Sequence, residues 1–232
     1  MAIYNCFEDY KEEIELSCVQ NHGVELELYS IIASIIREYC PNISLRDVTA
    51  RRTIQNDDFD LKGIGGFPDF VVLERIMEGA KIFGCIEAKN TYQIYDDHAD
   101  QINKHIISYR KMLYTNGLEW RFIDLTDKSQ NWKVILGTRA GEKFTDRVKN
   151  PIIWNSVDTW GDLIEKITKT SWGDTGKRTR EKDNGNSVCT VIVKQEDDTY
   201  IVTDEGTGTV DQGTTIEEAY SNLRTALELY YD

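Results

Sequence analysis

Two apolar segments that carry ionisable residues constrain this chain more than any other feature of its sequence. The first, FPDFVVLE (67–74), has Asp69 near its start, and the second, KIFGCIEAK (81–89), ends with Glu87 and Lys89. Both segments are rich in Phe, Val and Ile, and a short stretch with a turn glycine separates them, which predicts two neighbouring strands. Because burying an unpaired charge is strongly unfavourable, these ionisable groups must have partners or a chemical task.

The spacing of Glu87 and Lys89 predicts that their side chains meet. Side chains alternate between the two faces of a strand, so residues two apart point the same way. If the two strands pair, Asp69 reaches the same place, which gives two carboxylates and one ammonium. Carboxylate oxygens suit Mg²⁺ or Mn²⁺, and an ammonium beside the metal can orient water and stabilise charge on a phosphate. The pattern therefore favours phosphodiester hydrolysis, although patterns this short recur by chance when they stand alone.

Composition limits the other chemistries. The 232 residues include 27 basic and 40 acidic ones, and the net charge of −13 opposes non-specific attraction to phosphate unless bound cations cancel it locally. Three histidines leave little room for a histidine-rich metal site, and five scattered cysteines without a CxxC pair argue against a zinc site or a disulfide framework. No apolar run is long enough for a membrane span. We therefore expect a cytoplasmic protein without a membrane partner.

Periodicity places these strands in an α/β layer. Apolar residues at helical spacing predict a helix over 24–40, ended by Pro41, and a second helix over 97–114. An Asn-Gly turn leads into a predicted strand within 115–125, and 131–138 predicts one more. His98 and His105 are interpreted as surface or packing residues. Four tryptophans are interpreted as core rather than base-stacking residues: Trp120, Trp132, Trp154 and Trp160.

Taken in order, these motifs resemble the PD-(D/E)xK nuclease superfamily, whose signature is a helix with a Glu, a strand with P-D, a strand with E-x-K and a following helix. The stretch QINKHIISYRKMLYTNGLEWRFIDL (101–125) resembles the N-terminal nuclease domains of type I restriction enzymes, and the likeness covers about 20–140. It implies a restriction-endonuclease-like mixed sheet flanked by helices. This joint order of motifs is much more specific than any single one of them.

The resemblance also implies roles for individual residues. Asp69 and Glu87 become ligands of Mg²⁺ or Mn²⁺, Lys89 the catalytic lysine and Gln101 the helix glutamine near the site. The third metal carboxylate is Glu25 or Glu27, because either can lie above the apolar face of the first helix, and we favour Glu25. Acidic residues are also common at helix N-termini for electrostatic reasons alone.

The last part of the chain predicts a separate small α+β domain. We divide the chain into a nuclease-like domain (1–170), a polar aperiodic linker (171–187) and a C-terminal domain (188–232). The C-terminal domain has two alternating strands about an Asp-Asp turn and an amphipathic helix with a capping box from Thr215 to Glu218. It has two basic and ten acidic residues, a net charge of −8.

The C-terminal domain resembles the HicB-like antitoxin domain. The residues that match the family pattern are Val193, Tyr200, Val202, Gln212, Gly213, Thr215, Glu217, Glu218, Ala219 and Leu227. The loop over 204–208 departs from the usual P-D-L-P-G-like sequence. The resemblance implies protein binding, and the acidity fits a basic protein partner. The alternatives are that this domain only stabilises the chain or that it forms a homodimer.

These inferences predict a metal-dependent DNA endonuclease with an acidic protein-binding module, acting in host defence or a toxin–antitoxin-like system. The alternative is a catalytically inactive nuclease fold that serves as an interaction protein. The sequence leaves open whether the substrate is DNA or RNA.

Overall fold

The computed structural model describes residues 6–49, 61–173, 191–196, 199–204 and 208–231. The chain forms two compact units, 1–179 and 180–232. No helix in the described ranges is both long and apolar enough to cross a membrane. The first unit contains the predicted charged strands, and the second contains the acidic C-terminal segment.

A six-stranded mixed sheet forms the centre of the first unit. Its strands follow each other in chain order, and only β3 and β4 run parallel. The other neighbouring pairs are antiparallel. The strands are β1 (Ile43–Asp47), β2 (Phe70–Glu74), β3 (Ile82–Ala88), β4 (Lys111–Thr115), β5 (Glu119–Asp124) and β6 (Trp132–Ile135). The parallel pairing of β3 with β4 requires a crossover connection, which the helix over Ala99–Tyr109 supplies.

Helices cover both faces of this sheet, because its central strands are apolar on both sides. One face packs against α1 (Phe7–Gln20), α2 (Glu25–Tyr39) and α5 (Val157–Lys169). The other face packs against α3 (Ala99–Tyr109), which follows a 3₁₀ turn at Tyr95–His98. Along β2, Val72 contributes to the first core and Val71 to the second. The mixed α/β architecture flanked by helices is thus as the sequence predicts.

Smaller elements complete the first unit. A two-stranded sheet pairs β7 (Gly137–Arg139) with β8 (Ile152–Trp154). Between these strands lies α4 (Phe144–Lys149), and a 3₁₀ turn occupies Lys128–Gln130. The aromatic core includes Trp120, which is fully buried, and Trp160, which packs against Phe7 and Tyr10.

The predicted helix over 97–114 is wrong over its last five residues, 110–114. The helix ends at Tyr109, and Arg110 has a positive φ of 66°, a conformation that stops a helix. The following Lys111–Thr115 segment is the strand β4, and every residue in it is buried. A short apolar run does not distinguish a buried strand from a buried helix by periodicity alone, which explains the error. The Asn116–Gly117 turn then connects β4 to β5, as expected, with Gly117 at φ 82°.

Several elements were not predicted from the sequence: α1, β1, α4, β8 and α5. Two of these carry a usable signal. The buried residues of α1 include Phe7, Tyr10 and Ile14, and those of α5 are Trp160, Leu163 and Ile167. Both sets have the i, i+3, i+7 spacing of a helix face, and in α1 the acidic residues between them obscure it.

The second unit is a small α+β fold, as predicted. Its antiparallel sheet contains β9 (Val191–Glu196), β10 (Thr199–Asp204) and β11 (Val210–Gly213), with β10 in the middle, followed by α6 (Ile216–Tyr231). A Cβ at Gly213 would lie 2.5 Å from the Ala219 nitrogen, so this glycine allows the close approach of β11 and α6. The predicted Asp-Asp turn and most of the 204–208 loop lie outside the described residues.

The predicted capping box is present in altered form. Glu218 N donates to the Thr215 hydroxyl at 3.1 Å, but the Glu218 carboxylate accepts from Thr214 N at 2.8 Å rather than from Thr215. The helix start is therefore stabilised from two consecutive threonines.

The beginning of the predicted linker belongs to the first core. Trp172 is 4% exposed and meets Phe122 edge-to-face at 5.2 Å between ring centroids. Lys111 Nζ donates to the carbonyls of Ser171 at 2.8 Å and Gly173 at 3.2 Å. Residues 171–173 therefore pack with the first unit, and the rest of the predicted linker (174–187) lies outside the described residues.

A chain that ends after Gly173 should keep the stability of the first unit, whereas one that ends at 170 should not. The shorter chain loses the buried Trp172 ring, and truncating a buried Trp or Phe costs about 3–5 kcal/mol. Urea unfolding of both chains, with Trp172→Ala in the full protein as the control, measures the difference. Equal unfolding midpoints for the two chains would contradict this boundary.

Candidate active site

The predicted site residues meet at one end of the central strands. Asp69 directly precedes β2, Glu87 lies in β3 and Lys89 follows β3. The N-terminal turns of two helices on opposite faces of the sheet reach the same place, α2 with Glu25 and α3 with Gln101. The site is therefore assembled by four separate segments of the chain.

The Glu87 carboxylate is the centre of this cluster and is 1% exposed. Its Oε1 accepts hydrogen bonds from Lys89 Nζ at 2.6 Å and from Gln101 Nε2 at 2.9 Å. Its Oε2 is buried without a hydrogen-bond partner, and His105 Nε2 lies 3.5 Å away. Strand alternation places Glu87 and Lys89 on one face, as expected.

Asp69 is held next to Glu87 by two donors. Its Oδ2 accepts from the backbone N–H of Ala88 at 2.7 Å, and its Oδ1 accepts from the Tyr29 hydroxyl. Asp69 is 8% exposed, so both bonds form in a largely dry environment. Hydrogen bonds to a buried charged group stabilise by about 1.5–3 kcal/mol each, which fixes the orientation of this carboxylate.

The structure distinguishes the two candidate helix carboxylates by position. Glu25 Oε2 lies 3.8 Å from Lys89 Nζ, and Glu25 Oε1 accepts from the Tyr29 hydroxyl at 3.4 Å. Glu27 is exposed and instead accepts from Asn21 Nδ2 at 2.5 Å. Only Glu25 is therefore near the other site residues, while its role as a ligand stays a prediction.

Burial perturbs the carboxyl groups of the cluster. Burial, and then the nearby Asp69 charge, raise the pKa of Glu87 to about 7. Burial also raises the pKa values of Asp69 and Glu25, against the lowering effects of the Tyr29 hydrogen bond and of Lys89. Acids crowded together out of water hold their protons more tightly, and clefts with such groups are frequent functional sites.

The pKa values of the two basic residues, Lys89 and His105, shift in opposite directions. Burial lowers the pKa of Lys89, but Glu87, Glu25 and Asp69 outweigh this effect and the pKa is raised. Burial and then Lys89 lower the pKa of His105 to about 4, so its ring is neutral at neutral pH. The cluster thus combines a persistent ammonium with carboxyl groups that resist ionisation.

Two residues of the cluster were not identified as site residues from the sequence. The sequence analysis places Tyr29 only within a helix and interprets His105 as a surface or packing residue. A signal existed for both, since each lies four residues after a candidate site residue on the same helix face, Tyr29 after Glu25 and His105 after Gln101.

The cluster fits a divalent cation in part. In the described part of the chain, no three His, Cys, Asp or Glu side chains are grouped to hold a metal ion, so Glu25, Asp69 and Glu87 do not form a three-carboxylate cage. Mg²⁺ is typically held by one or two carboxylates with water and substrate phosphate, which Asp69 and Glu87 can provide. The partnerless Oε2 of Glu87 is an oxygen of the required kind.

A cavity of about 350 Å³ lies beyond the ends of β3 and β4. Lys89 N donates to Thr115 O at 2.9 Å. The residues that follow this contact in each strand line the cavity, Thr91 after Lys89 and Asn116 after Thr115. The lining includes Thr91, Tyr92, Asn116, Arg139 and Arg147. The cavity therefore begins two residues after Lys89 in the chain, and none of the cluster residues lines it.

Fold and site together define a mixed α/β protein with a buried acid–lysine cluster at one end of its sheet. No protein-family model matches the chain. No curated protein matches it either. Among solved structures, the chain is similar to one from "cryoEM structure DrdV-DNA complex", with a TM-score of 0.43 and 9% identity, over 70% of this chain and 13% of that one.

Two opposed titrations should shape the stability of the metal-free protein. Glu87 has a raised pKa of about 7, so its contribution to the free energy of unfolding is lost as pH rises from 4.5 through about 7. His105 has a lowered pKa of about 4, so its contribution to the free energy of unfolding is gained as pH rises from about 4 to 6.5. The two should largely offset each other in the wild type, and His105→Gln should expose the fall caused by Glu87.

Urea unfolding in EDTA across this pH range measures the effect. His22→Gln, which changes an exposed histidine, is the control and should follow the wild type. A pH dependence in His105→Gln that is parallel to the wild type would contradict the assignment.

Proposed function

We propose that this protein is a metal-dependent nuclease that hydrolyses phosphodiester bonds of DNA. The observation that carries the proposal is the buried cluster of Asp69, Glu87 and Lys89, in which both carboxyl pKa values are raised and one carboxylate oxygen lacks a partner. Its residues and their order along the chain also resemble the PD-(D/E)xK superfamily. Mg²⁺ or Mn²⁺ is the proposed cofactor.

Each residue of the cluster would have a separate role in the reaction, set by its position. Asp69 and Glu87 would hold the cation, which when bound polarises a phosphoryl oxygen and lowers the pKa of water. Lys89, held by Glu87 and by the more exposed Glu25, would orient the attacking water and stabilise charge that develops on the phosphate. Gln101 fixes the Glu87 carboxylate through its Nε2. Fixed donors of this kind need no rearrangement during the reaction.

Mg²⁺- or Mn²⁺-dependent cleavage should be lost in Asp69→Asn, Glu87→Gln and Lys89→Met. Each change removes a metal ligand or the cation that faces the phosphate, and we expect a fall of about 10²-fold or more in rate. Glu25→Gln should reduce the rate by about 10-fold. Supercoiled plasmid, linear DNA and RNA, each incubated with Mg²⁺, Mn²⁺ or EDTA, provide the measurement and identify the nucleic acid.

Two controls separate chemistry from folding. Lys111→Met removes another buried lysine of the same sheet, paired with Asp124 at 3.3 Å, and should lower stability without the same loss of rate. Glu27→Gln changes the exposed neighbour of Glu25 and should cleave like the wild type. Full activity in Glu87→Gln would exclude this site.

Two observations favour the alternative of a catalytically inactive scaffold. Both oxygens of Asp69 already accept hydrogen bonds, and the described residues contain no three-ligand cluster. A folded wild type that cleaves none of the substrates with any metal would favour this reading.

The C-terminal unit is proposed to bind a protein rather than nucleic acid. Its net charge of −8 over 188–232 repels phosphate and attracts basic surfaces. The three-stranded sheet with one helix is compatible with the HicB resemblance. Regulation of the nuclease, in a host-defence or toxin–antitoxin-like system, is the role we propose for it.

Removing the C-terminal unit should leave cleavage intact. A chain that ends after Gly173 keeps every residue of the cluster and the buried Trp172, so its metal-dependent rate should match or exceed that of the full protein. Residues 188–232 alone should not retard DNA in a gel at about 0.15 M salt, because their charge repels it. Tight DNA binding by this fragment would contradict the proposed division of roles.

A further inference from the structure

His105 is a buried histidine whose polar atoms are unused by the fold. It is 0% exposed, and neither Nδ1 nor Nε2 has a hydrogen-bond partner. Leaving a buried polar group unpaired costs about 1–3 kcal/mol, a cost that an aliphatic side chain at this position would not carry. Such a histidine therefore requires an explanation beyond packing.

The candidate partner of the His105 ring is Glu87 Oε2. It is also buried without a partner, and it lies 3.5 Å from His105 Nε2. Two partnerless polar atoms facing each other are one incomplete hydrogen bond rather than two unrelated defects. Hydrogen bonds at catalytic groups are often long before substrate binds and shorten afterwards.

The helix α3 directs two side chains at the same carboxylate. Gln101 donates from Nε2 to Oε1, and His105, one turn later, approaches Oε2. Residues four apart lie on one helix face, so the pair addresses both oxygens of Glu87 from one rigid element. A neutral imidazole can donate from Nε2 only in the tautomer that keeps Nδ1 unprotonated.

The loop before β2 covers the other side of the ring. A Cβ at Gly65 would lie 3.0 Å from His105 Cε1 and 3.1 Å from Nδ1. The backbone at Gly65 therefore closes over Nδ1 and limits how far the ring can turn. This leaves Nε2 aimed at the carboxylate.

We propose that His105 is a positioning residue that donates from Nε2 to Glu87 Oε2 and holds the carboxylate in the orientation required for the metal. Its effect on catalysis rests on the proposed nuclease function, whereas the contact itself does not. Donors behind a metal-binding carboxylate typically change metal affinity or activity by about 10–100-fold.

The contact is tested directly by long-range ¹H–¹⁵N spectra of the imidazole rings in the full chain. The protein has three histidines, and the His105 signals are those missing from His105→Gln. At about pH 8 we expect the Nε2-protonated tautomer and a shift of its resonance in Glu87→Gln, but not in Glu27→Gln. A proton on Nδ1, or an unchanged resonance in Glu87→Gln, would overturn the proposal.

The consequence is tested by Mn²⁺ titration, followed through the melting temperature, and by cleavage rates. His105→Leu should lose about 10–100-fold in Mn²⁺ affinity, while His105→Gln, which retains a donor, should keep most of it. Ile102→Val, a buried change on the same helix, controls for loosening of α3 and should bind as the wild type does.

The proposed function and the positioning role of His105 can be contradicted independently. A wild type that neither binds Mn²⁺ nor cleaves would overturn the proposed function, and the tautomer would still decide the contact. Wild-type Mn²⁺ affinity in a folded His105→Leu would overturn the positioning role even if the wild type cleaves.

Discussion

The burial of ionisable groups at the end of β3 is the constraint on which this structure depends. Moving a charge out of water costs several kcal/mol even after relaxation, so each group needs partners. Glu87 and Lys89 pair at 2.6 Å, but Glu87 also lies beside Asp69 and keeps one oxygen without a donor. The pKa of Glu87, raised to about 7, shows that its ionised form is poorly stabilised.

A second buried pair in the same sheet shows the contrast. Lys111 and Asp124 lie 3.3 Å apart, and Lys111 also donates to two backbone carbonyls. Burial alone would raise the pKa of Asp124, but hydrogen bonds from Thr126 and Asp127 outweigh it and the pKa is lowered. This pair is complete and fixes the segment around Trp172, whereas the pair at Glu87 is incomplete. The difference between satisfied and unsatisfied ion pairs separates a structural site from a candidate functional one.

The sequence predicted the parts of the fold that depend on local pattern. Strand alternation was enough to bring Glu87 and Lys89 together, and the Ile-rich face of α2 was enough to place that helix. Local pattern could not assign Lys111–Thr115, because a fully buried strand has no polar face. Nor could it identify His105, since its relation to Glu87 depends on how α3 crosses back between two parallel strands.

The choice between Glu25 and Glu27 shows the same limit. Both lie in the first turn of α2, and helical periodicity allows either to approach the apolar face. The tertiary structure separates them, because Lys89 and Tyr29 contact Glu25 whereas Asn21 contacts Glu27. The burial of Trp172 could not be predicted for a related reason: its neighbours in sequence are polar, and its partner Phe122 is distant in the chain.

Net charge was the strongest argument from the sequence against a nucleic-acid substrate, and the geometry of the cluster limits its weight. Asp69, Glu87 and Glu25 surround a single ammonium, so the fully ionised cluster has an excess of two negative charges. One divalent cation would balance that excess, lower the carboxyl pKa values against the effect of burial, and present positive charge to a phosphate. The acidity that repels a phosphate backbone from the metal-free protein is then the same property that would recruit the metal. A total of −13 over 232 residues therefore does not decide whether this end of the sheet binds DNA.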